Sequence, residues 1–111
     1  MSVIVTLHIK ADGDKLESWA QSHEDVMVGI IKQAEQRGVI AHRFYRDGQG
    51  NVMVLDEWPD IESFQAFFDG SMSEIGPMMA EVGAQGEPEI SFWHELNTPD
   101  RVGWGIEAGT H

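Results

Sequence analysis

Hydrophobic and polar positions alternate in four stretches of the chain and recur at steps of three and four in two others. Alternation of period two marks strands, and steps of three and four mark helices. In the first stretch Val3, Val5, Leu7 and Ile9 fall on one face, with Ile4, Thr6 and His8 on the other. The run Ala11-Asp12-Gly13-Asp14 supplies turn chemistry. A helix is predicted over 14–37, with Leu16, Trp19, His23, Val26, Met27, Ile30, Ile31 and Ala34 as its stripe and Gly38 as its stop. Strands over 40–46 and 51–58 flank Asp47-Gly48-Gln49-Gly50, a hairpin signal. Pro59 ends the second of these, and Asp60 can cap the helix that follows. Gly70 is expected to stop that helix, and Ser71 with Glu74 to open another piece bearing Ile75, Met78, Met79 and Val82. Pro77 should kink it. A loop over 83–88 precedes a last strand over 89–96, where Ile90, Phe92, His94 and Leu96 oppose Ser91, Trp93 and Glu95.

The order is β-α-β-β-α-β with the second helix broken in two. This is the ferredoxin-like α+β arrangement, with helices on one face of a four-stranded antiparallel sheet. One domain over 1–96 and an irregular tail over 97–111 follow. All four strands carry apolar residues on both faces, so the sheet face without helices needs a cover. A second copy of the same sheet provides one, which predicts a homodimer. Val102, Trp104 and Ile106 in the tail are apolar, and part of the tail is expected to pack as an arm on its own domain or on the partner subunit.

Charge narrows the partners. Nineteen acidic and seven basic residues leave a net charge of −12 in 111 residues. Nucleic acid and anionic membrane surfaces both need clustered Lys and Arg, so neither is expected. The absence of cysteine excludes disulfides and thiolate metal sites. The start, MSVIVTLHIK, has no basic segment leading into a long apolar run, so a cytoplasmic protein is expected. No glycine-rich phosphate loop is present.

The chemistry centres on Asp56, a carboxylate on an otherwise apolar strand face. With Arg46 opposite Val52, Phe44 stands opposite Val54 and His42 opposite Asp56, within reach of a hydrogen bond. A carboxylate on one imidazole nitrogen fixes the tautomer, which suits a general base. The same pair also suits a purely structural role, each group satisfying the other. Trp58 continues that face and would give an aromatic ligand a flat wall. His23, on the first helix stripe, either points toward His42 or takes a backbone partner at the helix edge. Trp19, Phe44 and Phe67 are candidate substrate contacts. Met72, Met78 and Met79 read more simply as core packing. The five histidines are dispersed, and His8 and His94 sit on neighbouring strands without further ligands, so no metal is expected.

With the hairpin HRFYRDGQGN and the segment DEWPDIESFQAFF in place, the chain resembles the dimeric α+β barrel superfamily, in its antibiotic-biosynthesis-monooxygenase-like branch. There the third strand ends in a carboxylate, any residue, then an aromatic, and Asp56-Glu57-Trp58 fits that pattern. The resemblance implies a homodimer. It leaves activity open, because the superfamily hosts quinone-forming monooxygenases, haem-degrading enzymes, cyclases and isomerases. Members often carry a histidine in the second helix where this chain has Phe67, which counts against haem ligation there. Two functions remain. One is a cofactor-independent oxygenase or isomerase-like enzyme on a small aromatic or quinol, with His42 or His23 as base. The other is a non-catalytic dimeric module that binds a small apolar ligand or serves as a structural or stress-linked protein. A ligand-sized cavity on which His23, His42 and Asp56 converge would favour the first.

Overall fold

The computed structural model describes residues 2–103. Strand β1 (Val3–Lys10) is followed by helices α1 (Gly13–Ser22) and α2 (Glu24–Gln36), the hairpin of β2 (Ala41–Arg46) and β3 (Asn51–Trp58), helix α3 (Ile61–Glu81) and strand β4 (Gln85–Trp93). The sheet order is β2-β3-β1-β4, antiparallel throughout. This is the ferredoxin-like α+β architecture. No helix among the described residues is long and apolar enough to cross a membrane.

The core lies between the helices and one sheet face. Val3, Val5, Leu7 and Ile9 of β1 and Val52, Val54 and Trp58 of β3 are buried there, against Leu16, Ala34, Phe64 and Phe67. The hairpin register is Arg46 with Val52, Phe44 with Val54 and His42 with Asp56. Asp47 sets it: its carboxylate accepts hydrogen bonds from the Gln49 amide at 2.7 Å, the Asn51 amide at 3.2 Å and the Asn51 side chain at 2.7 Å. These bonds hold its carboxyl below the usual carboxylate range. Gly48 and Gly50 take the positive φ the turn demands, at 78° and 84°.

The break in the helices is not where the sequence suggests. α3 runs unbroken for 21 residues through Gly70 and Pro77. Ser73, whose carbonyl loses its partner to the proline, and Pro77 are both exposed, so water can replace the missing bond. Burial of Phe64, Phe67, Ser71 and Met78 outweighs the glycine cost. The first helix is the divided one. Its ladder ends at His23, with φ −127° and ψ 47°. There Ser22 Oγ donates to the carbonyls of Ser18 or Trp19, both at 3.0 Å, and His23 Nδ1 lies 2.8 Å from the Trp19 carbonyl. Such local bonds compete with the helical ladder. The apolar stripe continues across the break, which is why periodicity hides it.

β4 is shifted toward the N-terminus of its expected range. It begins at Gln85, inside the expected loop, and ends at Trp93, so His94 and Leu96 lie beyond it and are exposed. Residues 97–103 form neither helix nor strand, and Val102 is exposed rather than packed on its own domain. Trp104 and Ile106 lie outside the described residues.

Asp60 caps α3 by accepting from the Ser63 amide at 2.7 Å. Bonds from the Ser63 side chain and amide lower its carboxyl below the usual range. A lowered native pKa stabilises the fold above the unfolded-state carboxylate pKa, and that contribution is lost as pH falls through the native value. Asp60→Ala should therefore lower the melting temperature at pH 7 and by much less at pH 2–3. An equal deficit at both pH values would contradict the cap.

Candidate functional site

Residues two apart on a strand share a face, so Asp56 projects with Val52, Val54 and Trp58 from β3 toward the helices. From the adjacent β2, His42 does the same. The two meet: His42 Nδ1 lies 2.6 Å from Asp56 Oδ1. The other oxygen, Oδ2, accepts from the Trp58 indole N–H at 3.1 Å. Asp56 is 4% exposed, and a carboxylate at that depth needs donors to stay charged. When Asp56 is ionised and the imidazole neutral, His42 Nδ1 donates to Oδ1 and Nε2 keeps its lone pair. His42 is half-buried at the sheet edge, with its ring edge-on to Phe44 at 5.1 Å.

His42 and Asp56 border a cavity of about 340 Å³ between the sheet, α2 and α3. Its walls include Met27, Val28, Ile30 and Ile31 of α2, Phe64, Phe67, Phe68, Ile75, Met78 and Met79 of α3, Phe44 of β2, and Gly86 and Pro88 of β4. The volume lies in the range of small-molecule sites. Among the described residues every other lining residue is apolar, so there the His42–Asp56 pair is the sole polar feature of the wall. No Lys or Arg among the described residues borders it, and only His42 can offset negative charge on an occupant.

The structure sorts the remaining candidates. Phe44 and Phe67 line the cavity. Trp58 does not: it is 0% exposed, shielded by Phe64 at 6.0 Å and Phe67 at 5.4 Å between ring centres. The flat wall expected of it is supplied by the phenylalanines instead. His23 stays outside as well. It marks the break between α1 and α2 and stacks on Trp19, with centroids 4.1 Å apart and planes at 9°. Trp19 is likewise outside the lining, and its indole nitrogen is buried with no partner among the described residues. Neither borders the cavity; Trp19 packs against the core from α1. Met78 and Met79, read as core, border the cavity; a stripe at helical spacing looks the same whether it faces core or cavity. The Trp58–Asp56 bond was within reach of the i, i+2 rule for strands. Among the described residues no cluster of three or more metal-ligating side chains occurs.

No protein-family model matches the chain, and no curated protein resembles it in sequence. Solved structures do resemble it. A monooxygenase, ActVA-Orf6 of Streptomyces coelicolor, solved with the ligand Nanaomycin D, superposes with a TM-score of 0.65 at 14% identity, covering 87% of this chain and 89% of that one. SnoaB, a cofactor-independent oxygenase from Streptomyces nogalater, gives 0.62 at 13%, covering 90% and 98%. A dimeric ferredoxin-like protein from an uncultured marine organism gives 0.61 at 14%, covering 91% and 93%. The fold is that of the antibiotic-biosynthesis-monooxygenase-like proteins. At these identities the likeness concerns the fold, and the site has to be read from its own geometry.

Asp56→Ala would strand the buried Trp58 N–H without an acceptor. Urea unfolding should show a loss of about 1–3 kcal/mol. An unchanged midpoint would mean that the carboxylate satisfies nothing.

Proposed function

We propose that the protein binds a small, flat phenol or quinol in the cavity and that His42 removes a proton from it, opening a cofactor-independent monooxygenase-type reaction. The observation that carries this reading is the polarity of the cavity wall, where one His–carboxylate pair stands in an otherwise apolar, ligand-sized space. Asp56 orients the imidazole, Nε2 takes the proton, and Phe44 and Phe67 pack against the ring. Delocalisation over the rings then stabilises the substrate anion, and molecular oxygen is the oxidant. In the keto tautomer of the phenol one ring carbon is a CH₂, and that carbon becomes C=O with one oxygen atom. The second oxygen leaves as water with the two hydrogens, and the substrate supplies all the electrons. The oxygenases that share the fold support this reading.

A second reading, a non-catalytic ligand-binding dimer, is favoured by one feature: among the described residues no further polar group faces the cavity to stabilise a developing oxyanion. Oxygen uptake separates the two. With a panel of anthrone-type and hydroquinone substrates, His42→Ala should lower kcat by about 10²–10⁴, while thermal-shift titration shows binding retained. Equal turnover by the variant would remove His42 as base. Binding without turnover by the wild type would favour the carrier.

The homodimer belongs to the same reading. The sheet face away from the helices carries Ile4, Met53, Leu55, Tyr45 and Trp93. Trp93 is 55% exposed, with its indole N–H tied to Thr6 Oγ1 at 2.8 Å. A large aromatic held in place on an open sheet suits a second copy of that sheet, and one structural neighbour is described as dimeric. Light scattering at micromolar concentration should report a dimer. A monomer would overturn this part.

A further inference from the structure

We infer that Trp58 is a positioning residue for His42: its indole N–H pins Asp56 Oδ2, fixes the rotation of the Asp56 side chain, and so holds the other oxygen against His42 Nδ1 with Nε2 left for the cavity. The assignment of a catalytic purpose to that control rests on the proposed role of His42 as base. The control itself does not.

Two donors meet the carboxylate, one on each oxygen. His42 Nδ1 is 2.6 Å from Oδ1 and Trp58 Nε1 is 3.1 Å from Oδ2. No other hydrogen bond reaches either oxygen from another side chain among the described residues. The two donors differ in kind. An indole nitrogen can only donate, whereas an imidazole nitrogen donates or accepts according to tautomer. Trp58 therefore fixes which atom of the Asp56 side chain it holds, and the remaining atom is left to His42. The indole is fully buried between Phe64 and Phe67, so it has no room to swing away. His42 is half-buried on an edge strand and depends on its partner for orientation. The spacing explains the arrangement: Asp56 and Trp58, two apart on β3, stand side by side on one face, and His42 is Asp56's neighbour across the ladder. The result is a hydrogen-bonded chain from the core to the cavity wall, Trp58 to Asp56 to His42.

Substitution of Asp56 by Asn turns this logic into a measurement. If Trp58 dictates, the Asn carbonyl oxygen must face the indole N–H and the Asn amide NH₂ must face His42. His42 Nδ1 then has to accept, and the proton moves to Nε2. If Trp58 does not matter, the amide turns its oxygen to His42, and Nδ1 keeps its proton. In ¹⁵N NMR of histidine-labelled protein without ligand, we expect the Nδ1–H tautomer in the wild type and the Nε2–H tautomer in Asp56→Asn. In the double variant Asp56→Asn with Trp58→Phe, the amide is released and the Nδ1–H tautomer should return. Should that double variant fail to fold, replacement of Trp58 by benzothienylalanine in the Asp56→Asn background keeps both rings and exchanges the N–H for sulfur. Retention of Nδ1–H in Asp56→Asn, or of Nε2–H after the indole N–H is removed, overturns the inference. Oxygen uptake by the wild type is a separate readout. A correct tautomer pattern without turnover would leave Trp58 as the orienting group and remove only the catalytic reading.

Discussion

A buried carboxylate has to be given donors, and the arrangement of this site follows from where Asp56 finds them. At 4% exposure water is not at hand, and an unpaired charge there costs more than a small domain can spare. One donor comes from the same strand two residues on, the other from the neighbouring strand of the hairpin. Both depend on register. A slip of one residue between β2 and β3 would turn the facing of a whole strand and separate the pair. The Asp47 turn, with its three bonds to Gln49 and Asn51, is therefore part of the site although it lies at the far end of the hairpin.

The cavity depends on the helices in a different way. α2 and α3 stand over the sheet and are tied to each other by polar contacts, with Gln33 Nε2 within 3.0 Å of Glu74 and Ser71 Oγ donating to Gln33 Oε1 at 3.2 Å. Their apolar stripes face the space between rather than closing it. Met27, Met78 and Met79 on those stripes are unbranched and adaptable, a lining that can follow the shape of an occupant. The break at His23 separates α1, whose Leu16 packs into the core, from α2, whose Ile30 and Ile31 border the cavity.

The shared fold and the low identity fit together on this account. The ferredoxin-like frame supplies a sheet, a helical cover and a space between them, and a few side chains decide what that space can do. Here those side chains are a His–carboxylate pair at the sheet edge and a phenylalanine cluster on α3. Phe67 on α3 adds to the apolar wall, and among the described residues His42 is the only basic group that borders it.

Period-two alternation and a short hairpin turn are local properties, and they determined β1, the hairpin strands, their register and the opposition of His42 to Asp56, while β4 began earlier than its alternation suggests. The two-sided apolar pattern of the strands likewise pointed to an open sheet face. Three things were not legible. The helix break depends on bonds from Ser22 and His23 to nearby carbonyls, which periodicity does not register, while α3 passes Gly70 and Pro77 because tertiary burial outweighs local propensity. The cavity depends on the distance between layers, and a stripe of Ile, Met and Phe reads alike whether it meets core or empty space. The role of Trp58 depended on which way its ring turned. A tryptophan beside a carboxylate can offer its face to a ligand or its N–H to the carboxylate, and only packing against Phe64 and Phe67 decided for the second.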